Sequence, residues 1–541
     1  MTLDNIREAV LRLGLQRKSA GAVLISPTGQ LQNWLLDLRQ VFLQRDVLLQ
    51  IAAAFWERHQ ARGSFQLGGM ETAAIPLLAA LLICAPQERG QVNGFIVRKE
   101  RKTKGRGNAI EGVITDDPVI LVDDVINSGN SAEKARMTIE MYGYKLKDVF
   151  AVVDYRSAKG TAWRELHGIE VTSLFTLADF SLRLKKNSPR LSQRYRSLWH
   201  VAVPGGFPYY VVPKSTPLLV GEVIYRGCDS GKMQAFDARN GAVVWEYQAT
   251  GTSSRKGIWS SPAAHDGRLY FGAYNGSVYC LDAADGSEIW AQAYGEWVGA
   301  SPLVVPRHNL VYFGLEYQRP WAQGSIGALD LRNGEKVWEY QTTKLQHGSP
   351  VYWSAGDLVL WGTADHEMVA FDAATGDVRW VFPTLRSVKY PPAVSEERDL
   401  VAFASFDKSI YVLDVTTGAK RGEWQTGELC YTTPLICGNR LFCGSGDRHL
   451  YVIDLDRMRL IKKINLGARV YSSPRLLGER VIVGTSGGKV IEIDRETLEI
   501  RGGLQVPDAV TNAIAASPDG ERIFVSTYMN HLYAFERLQD S

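Results

Sequence analysis

A unit of about 42 residues repeats from about Pro213 to the end of the chain and constrains the fold more than any other feature. Each unit contains a small-residue turn ending in proline, a β-forming run, and an apolar stretch ending in aspartate. The prolines are Pro217, Pro262, Pro302, Pro350, Pro392, Pro434 and Pro474. The aspartates are Asp237, Asp282, Asp330, Asp372, Asp414, Asp454 and Asp494. Four units place a tryptophan eight residues after the aspartate: Trp245, Trp290, Trp338 and Trp380.

A repeat of this length with four short strands indicates the blades of an all-β propeller. One blade cannot bury both of its faces, so neighbouring blades must stack and the ring must close. An eighth unit is degenerate, with Ile514–Ala516 in place of the proline turn and Glu536 in place of the aspartate. We therefore predict eight blades over residues 213–541, with seven as the alternative. The last unit leaves no room for an outer strand, and we expect Tyr209–Val212 to supply it.

The first 180 residues follow a different pattern, in which helical and strand segments alternate. Apolar residues recur at helical spacing over Gln32–Gln60, and two further segments have helix length, Ala73–Cys84 and Ser131–Tyr142. Short apolar runs typical of buried strands separate them: Ser64–Leu67, Gly94–Val97, Val119–Val122 and Val149–Val153. This alternation predicts an α/β domain built on a mainly parallel sheet.

A basic linker, residues 181–212, joins the two parts. Its stretch Ser181–Trp199 has no acidic residue and six basic ones: Arg183, Lys185, Lys186, Arg190, Arg194 and Arg196. A solvated linker face and a patch for an anionic partner both fit such a charge run.

Composition excludes several classes of protein. The net charge of +3 over 541 residues gives no reason to expect a nucleic-acid or membrane partner. The first ten residues, MTLDNIREAV, do not resemble a signal peptide. The six cysteines lie far apart without metal-ligand spacing, so we expect reduced thiols and a cytoplasmic location.

The segment Val119–Ala135, VILVDDVINSGNSAEKA, has the strongest local signal for a ligand site. Two aspartates, Asp123 and Asp124, follow its buried strand, and a helix is expected to start near Ser131. Ligands of open α/β sheets bind beyond the carboxyl ends of strands, and small residues at a helix N-terminus suit a phosphate. The aspartates suit ribose hydroxyls or a bound metal rather than the phosphate itself. An ordinary βα turn with an N-capping serine is the alternative.

This segment resembles the phosphoribosyl-pyrophosphate (PRPP) motif of type I phosphoribosyltransferases, and orotate phosphoribosyltransferases in particular. Three further blocks are similar to that family in the same order: Ser26–Arg39 to its hood, Leu67–Ala79 to its pyrophosphate loop, and Val97–Gly112 to its mobile catalytic loop. A weaker match ends at Arg156, near where the family recognises its base.

The resemblance implies a PRPP-dependent transferase, a glycosyltransferase of the pentosyl class, that uses Mg²⁺ held mainly by PRPP. The implied catalytic residues are Lys102, Asp123 and Asp124. The implied PRPP-binding residues are these three together with Arg98, Lys99, Val125, Asn127, Ser128, Gly129, Asn130 and Ser131. The implied pyrophosphate loop is Gly68, Gly69, Met70 and Glu71, and Arg156 would contact the base. A homodimer through this domain is also implied.

The sequence departs from the family in the lid and at the base end. The usual Lys-Asp-His-Gly-Glu is here Lys102-Thr103-Lys104-Gly105-Arg106, so both acids and the histidine are missing. Without the family, the basic run Arg98–Arg106 fits a surface hairpin as well as a lid. Pro27 stands near the position of a base-contacting lysine, and Tyr155 is inserted between Asp154 and Arg156. The phosphate-binding half is therefore better preserved than the base-binding half.

The segment Gly276–Trp290 and its relatives resemble the propeller repeat of pyrroloquinoline quinone (PQQ) proteins. PQQ itself is not expected, because the sequence has no vicinal cysteine pair. The first functional hypothesis is PRPP-dependent transfer of phosphoribose to a base or another nucleophile, with the propeller as a scaffold for an unidentified protein partner. The second is a non-catalytic PRPP or nucleotide sensor that signals through the propeller.

Overall fold

The structure is a computed structural model that describes residues 3–17, 24–25, 31–32, 34–98, 110–183, 191–202, 215–249, 257–317 and 323–538. The chain forms two compact units. The first contains Met1–Asn187 with Gln505–Asp508, and the second contains Ser188–Leu504 with Ala509–Ser541. Among the described residues no helix has both the length and the apolar character needed to cross a membrane.

The first unit is built on a six-stranded sheet of order β10-β9-β8-β5-β6-β7. Its strands are β5 (Gln66–Met70), β6 (Gly94–Val97), β7 (Ile110–Gly112), β8 (Val119–Ile126), β9 (Leu146–Asp154) and β10 (Glu170–Thr176). All neighbours pair in parallel except β6 and β7. The prediction of an α/β domain with a mainly parallel sheet is confirmed.

In the part of this unit that the structure describes, six α-helices accompany the sheet: α1 (Leu3–Ala9), α2 (Arg39–Phe42), α3 (Arg45–His59), α4 (Ala74–Ile83), α5 (Asn130–Met141) and α6 (Ala158–His167). Val10–Gly14 is a π-helical turn, and Gln87–Arg89 and Leu177–Phe180 are 3₁₀ turns. Four short strands lie before α2: β1 (Leu15–Arg17), β2 (Leu24–Ile25), β3 (Leu31–Gln32) and β4 (Trp34–Leu36).

The helical spacing over Gln32–Gln60 gives helices only from Arg39 onwards, first the short α2 and then α3. Ahead of α3, strand β4 pairs antiparallel with β1, with Leu36 opposite Leu15. Tertiary pairing therefore overrides the helical spacing there. The apolar face of α3 packs through Phe55 and Trp56 into a core shared with Leu77 and Leu81 of α4.

The second unit is a propeller of eight four-stranded blades, as predicted, and the seven-blade alternative is wrong. Its first four blades contain β12 (Leu218–Val220), β13 (Val223–Gly227), β14 (Lys232–Asp237), β15 (Val243–Gln248); β16 (Ala263–His265), β17 (Arg268–Gly272), β18 (Ser277–Asp282), β19 (Glu288–Ala293); β20 (Leu303–Val305), β21 (Leu310–Tyr317), β22 (Gln323–Asp330), β23 (Lys336–Thr342); and β24 (Val351–Trp353), β25 (Leu358–Gly362), β26 (Glu367–Asp372), β27 (Val378–Pro383).

The remaining blades contain β28 (Ala393–Ser395), β29 (Leu400–Ala404), β30 (Ser409–Asp414), β31 (Lys420–Gln425); β32 (Leu435–Cys437), β33 (Arg440–Gly444), β34 (His449–Asp454), β35 (Arg459–Asn465); β36 (Arg475–Leu477), β37 (Arg480–Gly484), β38 (Lys489–Asp494), β39 (Ile500–Gln505); and β40 (Ala515–Ala516), β41 (Arg522–Ser526), β42 (His531–Arg537) with β11 (Tyr195–Ala202). Antiparallel pairing joins neighbouring strands within the blades, and a 3₁₀ turn, Pro306–His308, precedes β21.

Tryptophans from outer strands fasten neighbouring blades. The indole of Trp245 donates a hydrogen bond of 3.1 Å to the carbonyl of Ala283, one residue beyond the repeat aspartate of the next blade. The same ring lies over Gly286, whose φ is +75° and whose added Cβ would come 2.6 Å from the indole. Glycine is needed there, because a side chain would meet both a strained backbone and the ring.

The eighth blade takes its fourth strand from the segment before the first blade. Strand β11 pairs antiparallel with β42, with Tyr195 opposite Arg537. Trp199 of β11 donates to the carbonyl of Ala238 at 3.0 Å and packs on Gly241, the same contact that Trp245 makes one blade further on. The segment Tyr209–Val212, which we expected in this position, lies outside the described residues, and Tyr195–Ala202 is the outer strand.

A buried ionic cluster supports this closure. Glu492 of β38 is 1% exposed, and it accepts hydrogen bonds of 2.5 Å from the hydroxyl of Tyr195 and from Arg480. Burial and the Glu492 charge both raise the pKa of the Tyr195 hydroxyl, which stays protonated and able to donate. Arg537 of β42 lies 3.8 Å from the same carboxylate.

We predict that Glu492→Gln lowers the midpoint of thermal unfolding of the propeller. The change leaves the Arg480 guanidinium buried without its nearest counter-charge, and breaking a buried pair in this way costs about 3–5 kcal/mol. Differential scanning calorimetry of the full chain measures the shift.

Glu246→Gln is the matched control, because its ion pair with Lys232 is about one-third exposed and such pairs contribute about 0–1 kcal/mol. Equal shifts for the two variants would contradict a stabilising role for the buried cluster.

Candidate active site

The carboxyl ends of four strands meet at one edge of the first unit's sheet. In the parallel register Gly69 of β5 lies opposite Val122 of β8, and Met70 lies opposite Val97 of β6. Asp123 lies opposite Ala151 of β9. The predicted PRPP motif and the predicted pyrophosphate loop are therefore neighbours at this edge.

Asp123 and Asp124 lie inside β8, which continues to Ile126, rather than just after the strand as we predicted. Asp123 is 8% exposed and accepts a 2.9 Å hydrogen bond from the backbone N–H of Asp124. Asp124 in turn accepts from the N–H of Val125 at 2.8 Å. Burial raises the pKa of the Asp124 carboxyl above its ordinary value, and the nearby charge of Asp37 acts in the same direction. A ligand that donates hydrogen bonds to these carboxylates would offset the cost of keeping them charged in a buried position.

Two glycines, Gly129 and Gly160, make room for the turn after β8. Gly129, at the N-terminus of α5, has φ +79°, and an added Cβ would come 2.6 Å from the ring of Trp163. The carbonyl of Asn127 accepts a 2.7 Å hydrogen bond from the hydroxyl of Ser157, and Gly160 packs against that carbonyl with no room for a side chain. With this carbonyl bound elsewhere, the turn presents N–H groups and the start of α5, which attract an anion.

Side chains of the turn face outwards. Asn127 and Ser131 are exposed, whereas Ser128 and Asn130 are half-buried. Val125 is half-buried and packs against the main core of the unit. The four polar side chains can therefore donate to a phosphate placed at the turn, in addition to the backbone.

A buried network under the turn fixes α5 to α6. Glu133 is 4% exposed and accepts hydrogen bonds of 2.8 Å from the Trp163 indole and from Nε of Arg136. Arg136 also donates to Glu140 at 2.6 Å. The network sets the position of Trp163, and Trp163 sets the position of Gly129.

Gly68, Gly69 and Met70 belong to strand β5 rather than to a loop. An added Cβ on Gly68 would come 2.7 Å from Phe95, and the Met70 side chain is buried with Val97 and Phe95. Glu71 follows the strand, donates its N–H to the carbonyl of Val97 at 3.0 Å, and precedes a cis peptide bond. The predicted pyrophosphate loop is therefore reduced to the turn that runs from Glu71 to α4.

Of the predicted lid cations, the structure describes Arg98 alone. Its side chain is 15% exposed and forms an ion pair with Glu111 of β7. Lys99 and Lys102 lie outside the described residues, as does Pro27 of the predicted hood.

At the predicted base end of the site, the sequence did not single out Arg164 and Trp34, which contact Asp154 and Tyr155. Asp154 accepts two hydrogen bonds of 3.1 Å from Arg164 and one of 2.8 Å from the N–H of Arg156. Arg156 itself is exposed. Tyr155 is half-buried, its ring lies 5.7 Å from that of Trp34, and burial together with the charge of Asp124 raises its pKa. The inserted residue was visible in the sequence, but its contact with Trp34 was not.

A divalent cation beside Asp123 and Asp124 would need further oxygen ligands from a bound substrate. Within the described residues no group of three or more histidine, cysteine, aspartate or glutamate side chains is arranged to hold a metal ion. Asp123 and Asp124 can supply part of an octahedral oxygen shell, and phosphate oxygens of a substrate suit the rest.

The first unit is similar to known enzymes along most of their length. It is 33% identical to the orotate phosphoribosyltransferase of Rhodopirellula baltica over 162 residues, which are 29% of this chain and 83% of that protein. It is 31% identical to the orotate phosphoribosyltransferase of Aquifex aeolicus over 153 residues, which are 28% of this chain and 83% of that protein. The chain belongs to the orotate phosphoribosyltransferase family. Family membership makes it a PRPP-dependent pentosyltransferase, and the predicted resemblance is confirmed.

The second unit matches a different family. Residues 193–322 and 322–431 match a family model of PQQ-like repeats, described as outer membrane protein assembly factor BamB. BamB from Moraxella catarrhalis covers 64% of this chain and 99% of its own, with 18% identity and a TM-score of 0.52. The computationally designed Ika8 protein covers 64% and 100%, with 15% identity and a TM-score of 0.52. Likeness at these identities shows the propeller fold alone.

We predict that Gly129→Ala weakens PRPP binding by about 10-fold or more. The methyl group must displace the buried Trp163, which moves the turn, and a displacement of about 1 Å at a binding site is costly. Isothermal titration calorimetry with PRPP and Mg²⁺ measures the change.

Gly168→Ala is the matched control. Gly168 also has a positive φ, +61°, but an added Cβ there meets nothing within 4 Å. Both variants carry the same kind of backbone strain, so equal losses of PRPP affinity would contradict a specific role for the Gly129 turn.

Proposed function

We propose that the first unit binds PRPP at the edge formed by Asp123, Asp124 and the turn Asn127–Ser131, and transfers its phosphoribosyl group to a base or related nucleophile with release of pyrophosphate. The observation that carries the proposal is the placement of two buried carboxylates beside an anion-attracting turn, in a unit of this family. Orotate is the first nucleophile to test, because the relatives are named for it.

Each group suits one part of the substrate. The Asp123 and Asp124 carboxylates accept hydrogen bonds from the ribose hydroxyls, which they prefer to a phosphate of like charge. The N–H groups at the start of α5 and the side chains of Asn127, Ser128, Asn130 and Ser131 bind the 5′-phosphate. Mg²⁺, when bound with PRPP, supplies positive charge that stabilises the leaving pyrophosphate.

The lid contributes charge on the leaving-group side. Negative charge builds on pyrophosphate as its bond to ribose C1 breaks, so cations placed there stabilise the transition state. We assign this role to Arg98, Lys99 and Lys102, with Lys102 as the catalytic lysine. Arg98 must exchange its partner Glu111 for the pyrophosphate.

The sensor hypothesis is the second candidate function, and it would require that this chain binds PRPP but has lost the transfer activity of its family. It is favoured by the replaced acids and histidine of the lid and by Pro27 in the hood. A sensor needs only the carboxylate pair and the turn. The propeller would then pass the signal to a protein partner, whereas in the enzyme it serves as a scaffold. The homodimer, the cytoplasmic location and the base contact of Arg156 stay predictions.

We predict that Asp123→Asn/Asp124→Asn weakens PRPP binding by about 100-fold or more, since each change removes a charged hydrogen-bond acceptor. The variant should stay folded. Burial raises the pKa of Asp124, so its ionised form destabilises the fold at neutral pH, and asparagine removes that cost. Calorimetric titration with PRPP and a thermal scan measure the two effects.

Asp46→Asn, at an exposed ion pair, is the control for a general change of charge. Unchanged PRPP affinity in the double variant would overturn the site assignment. A lower unfolding midpoint with unchanged affinity would assign the carboxylates a structural role instead.

We predict that Lys102→Ala lowers the rate of pyrophosphate release by about 100- to 1000-fold while leaving PRPP affinity nearly unchanged, because Lys102 acts on charge that develops only in the transition state. The assay supplies PRPP, Mg²⁺ and a panel of bases headed by orotate.

Release with one base identifies the nucleophile, and release without any base indicates hydrolysis alone. PRPP binding without release under any condition would contradict the enzyme and support the sensor.

A further inference from the structure

The propeller contains a cavity of about 670 Å³. The repeat pattern does not account for all of the side chains in its wall. Six of its lining side chains carry most of its chemistry: Trp259, Tyr274, His347, Lys389, Phe406 and Tyr431. Cavities of a few hundred Å³ that combine aromatic walls with a few polar groups are typical of small-molecule sites.

The repeated part of the wall is occupied with holding the blades together. The hydroxyl of Ser261 accepts the N–H of Thr216 at 2.9 Å, that of Ser301 accepts the N–H of Ser261 at 2.9 Å, and that of Ser349 accepts the N–H of Ser301 at 2.8 Å. These hydroxyls serve the ring. Any ligand must be recognised by the positions at which the blades differ from one another.

Blade five differs most. Where the second blade has Trp259-Ser260-Ser261 before its proline, blade five has Lys389-Tyr390-Pro391. A bulky tyrosine thus replaces a small residue, and a proline replaces the hydroxyl that would bridge the blades. The Tyr390 ring lies 6.2 Å from Phe406 and 6.0 Å from Tyr431, which are 5.3 Å apart. The three rings form an aromatic wall.

A buried carboxylate lies beside two of the lining residues, Gly299 and His347. Glu316 of β21 is 0% exposed, and neither of its oxygens has a hydrogen-bond partner among the described residues. His347 Nδ1 lies 3.0 Å from Oε1, close enough for an ion-pair contact but not aligned as a hydrogen bond. Gly299 lines the cavity in front of it, and an added Cβ there would come 2.9 Å from Oε1. The same Cβ would come 2.7 Å from the Tyr274 hydroxyl, so this position has no room for a side chain between Tyr274 and the carboxylate.

Lys389 supplies the complementary donor. Burial lowers the pKa of its ammonium, although the charge of Glu316 acts in the opposite direction. Its Nζ lies 5.3 Å from the centre of the Phe406 ring. The cavity wall therefore offers the imidazole of His347, which Glu316 contacts from behind, a donor at Lys389 and flat apolar surface around them.

We propose that this cavity binds a planar heterocycle with adjacent N–H and carbonyl groups, the chemistry of a nucleobase. The ring N–H would donate to the His347 imidazole, whose Nδ1 lies beside Glu316, the carbonyl would accept from Lys389, and the ring faces would pack against Tyr390, Phe406 and Tyr431. This site is separate from the one assigned to PRPP, and it does not depend on turnover there.

Equilibrium dialysis of the full chain with uracil, thymine, cytosine and hypoxanthine tests the proposal. PRPP and Mg²⁺ are omitted, and the protein carries Asp123→Asn/Asp124→Asn so that binding at the transferase site is suppressed. At least one base should bind at one site per chain. Lys389→Met should weaken that binding by about 10-fold or more, because a charged donor is lost. Phe406→Leu should weaken it by about 5-fold through loss of ring contact.

Lys408→Met is the matched control, because this exposed lysine pairs only loosely with Glu428, and it should change binding by less than about 2-fold. Binding that is equal in Lys389→Met and Lys408→Met would overturn the proposal. So would binding of PQQ, added as a fifth probe, with no binding of any base.

Discussion

Closure of the propeller depends on an aromatic ring packed against a glycine in the left-handed conformation. Each such contact joins the outer strand of one blade to the turn after the aspartate of the next. The contact between Trp199 and Gly241 is the one that completes the circle, and Trp199 belongs to a strand that precedes the first blade in sequence. A blade at the end of the chain therefore cannot be complete until the segment before the first blade has been added. This order makes closure a long-range event, and the buried Glu492 cluster holds Tyr195 of the same strand, β11, against blade seven.

The same type of contact shapes the transferase site. Gly129 has a positive φ and faces the ring of Trp163, as Gly241 faces Trp199. In the propeller the contact fixes one blade to another. In the transferase unit it fixes a turn whose N–H groups must converge on a phosphate. The Glu133 carboxylate holds Trp163 from below, so the shape of the turn depends on a buried charge that no substrate touches. Preorganisation of this kind limits the entropy lost when the phosphate binds.

The fold was largely predictable because its signals are periodic or local. The recurring aspartates and prolines gave eight blades, and the apolar runs gave the parallel sheet. The failures have one cause, which is long-range pairing. Trp34–Leu36 has helical spacing with its neighbours but pairs with Leu15–Arg17. The outer strand of blade eight is Tyr195–Ala202, and only its pairing with β42 identifies it as that strand. At the site, Asp123 and Asp124 could be proposed from the strand and turn that surround them. Trp163 and the Tyr155–Trp34 contact could not, because each partner is distant in sequence.

Holding PRPP and breaking its bond place different demands on the chain. Holding requires groups that are already in position, and the carboxylate pair and the Gly129 turn meet that demand in the described structure. Breaking the bond requires cations beside the leaving group, and the one predicted lid cation that the structure describes, Arg98, is paired with Glu111. Glu111 is half exposed, so this pair contributes little stability and a pyrophosphate of higher charge can replace it. The enzyme hypothesis therefore rests on an exchange of partners at Arg98 and on the lysines of the lid, whereas the sensor hypothesis needs neither. In the proposed site, the lid decides the chemistry and the turn decides the recognition of PRPP.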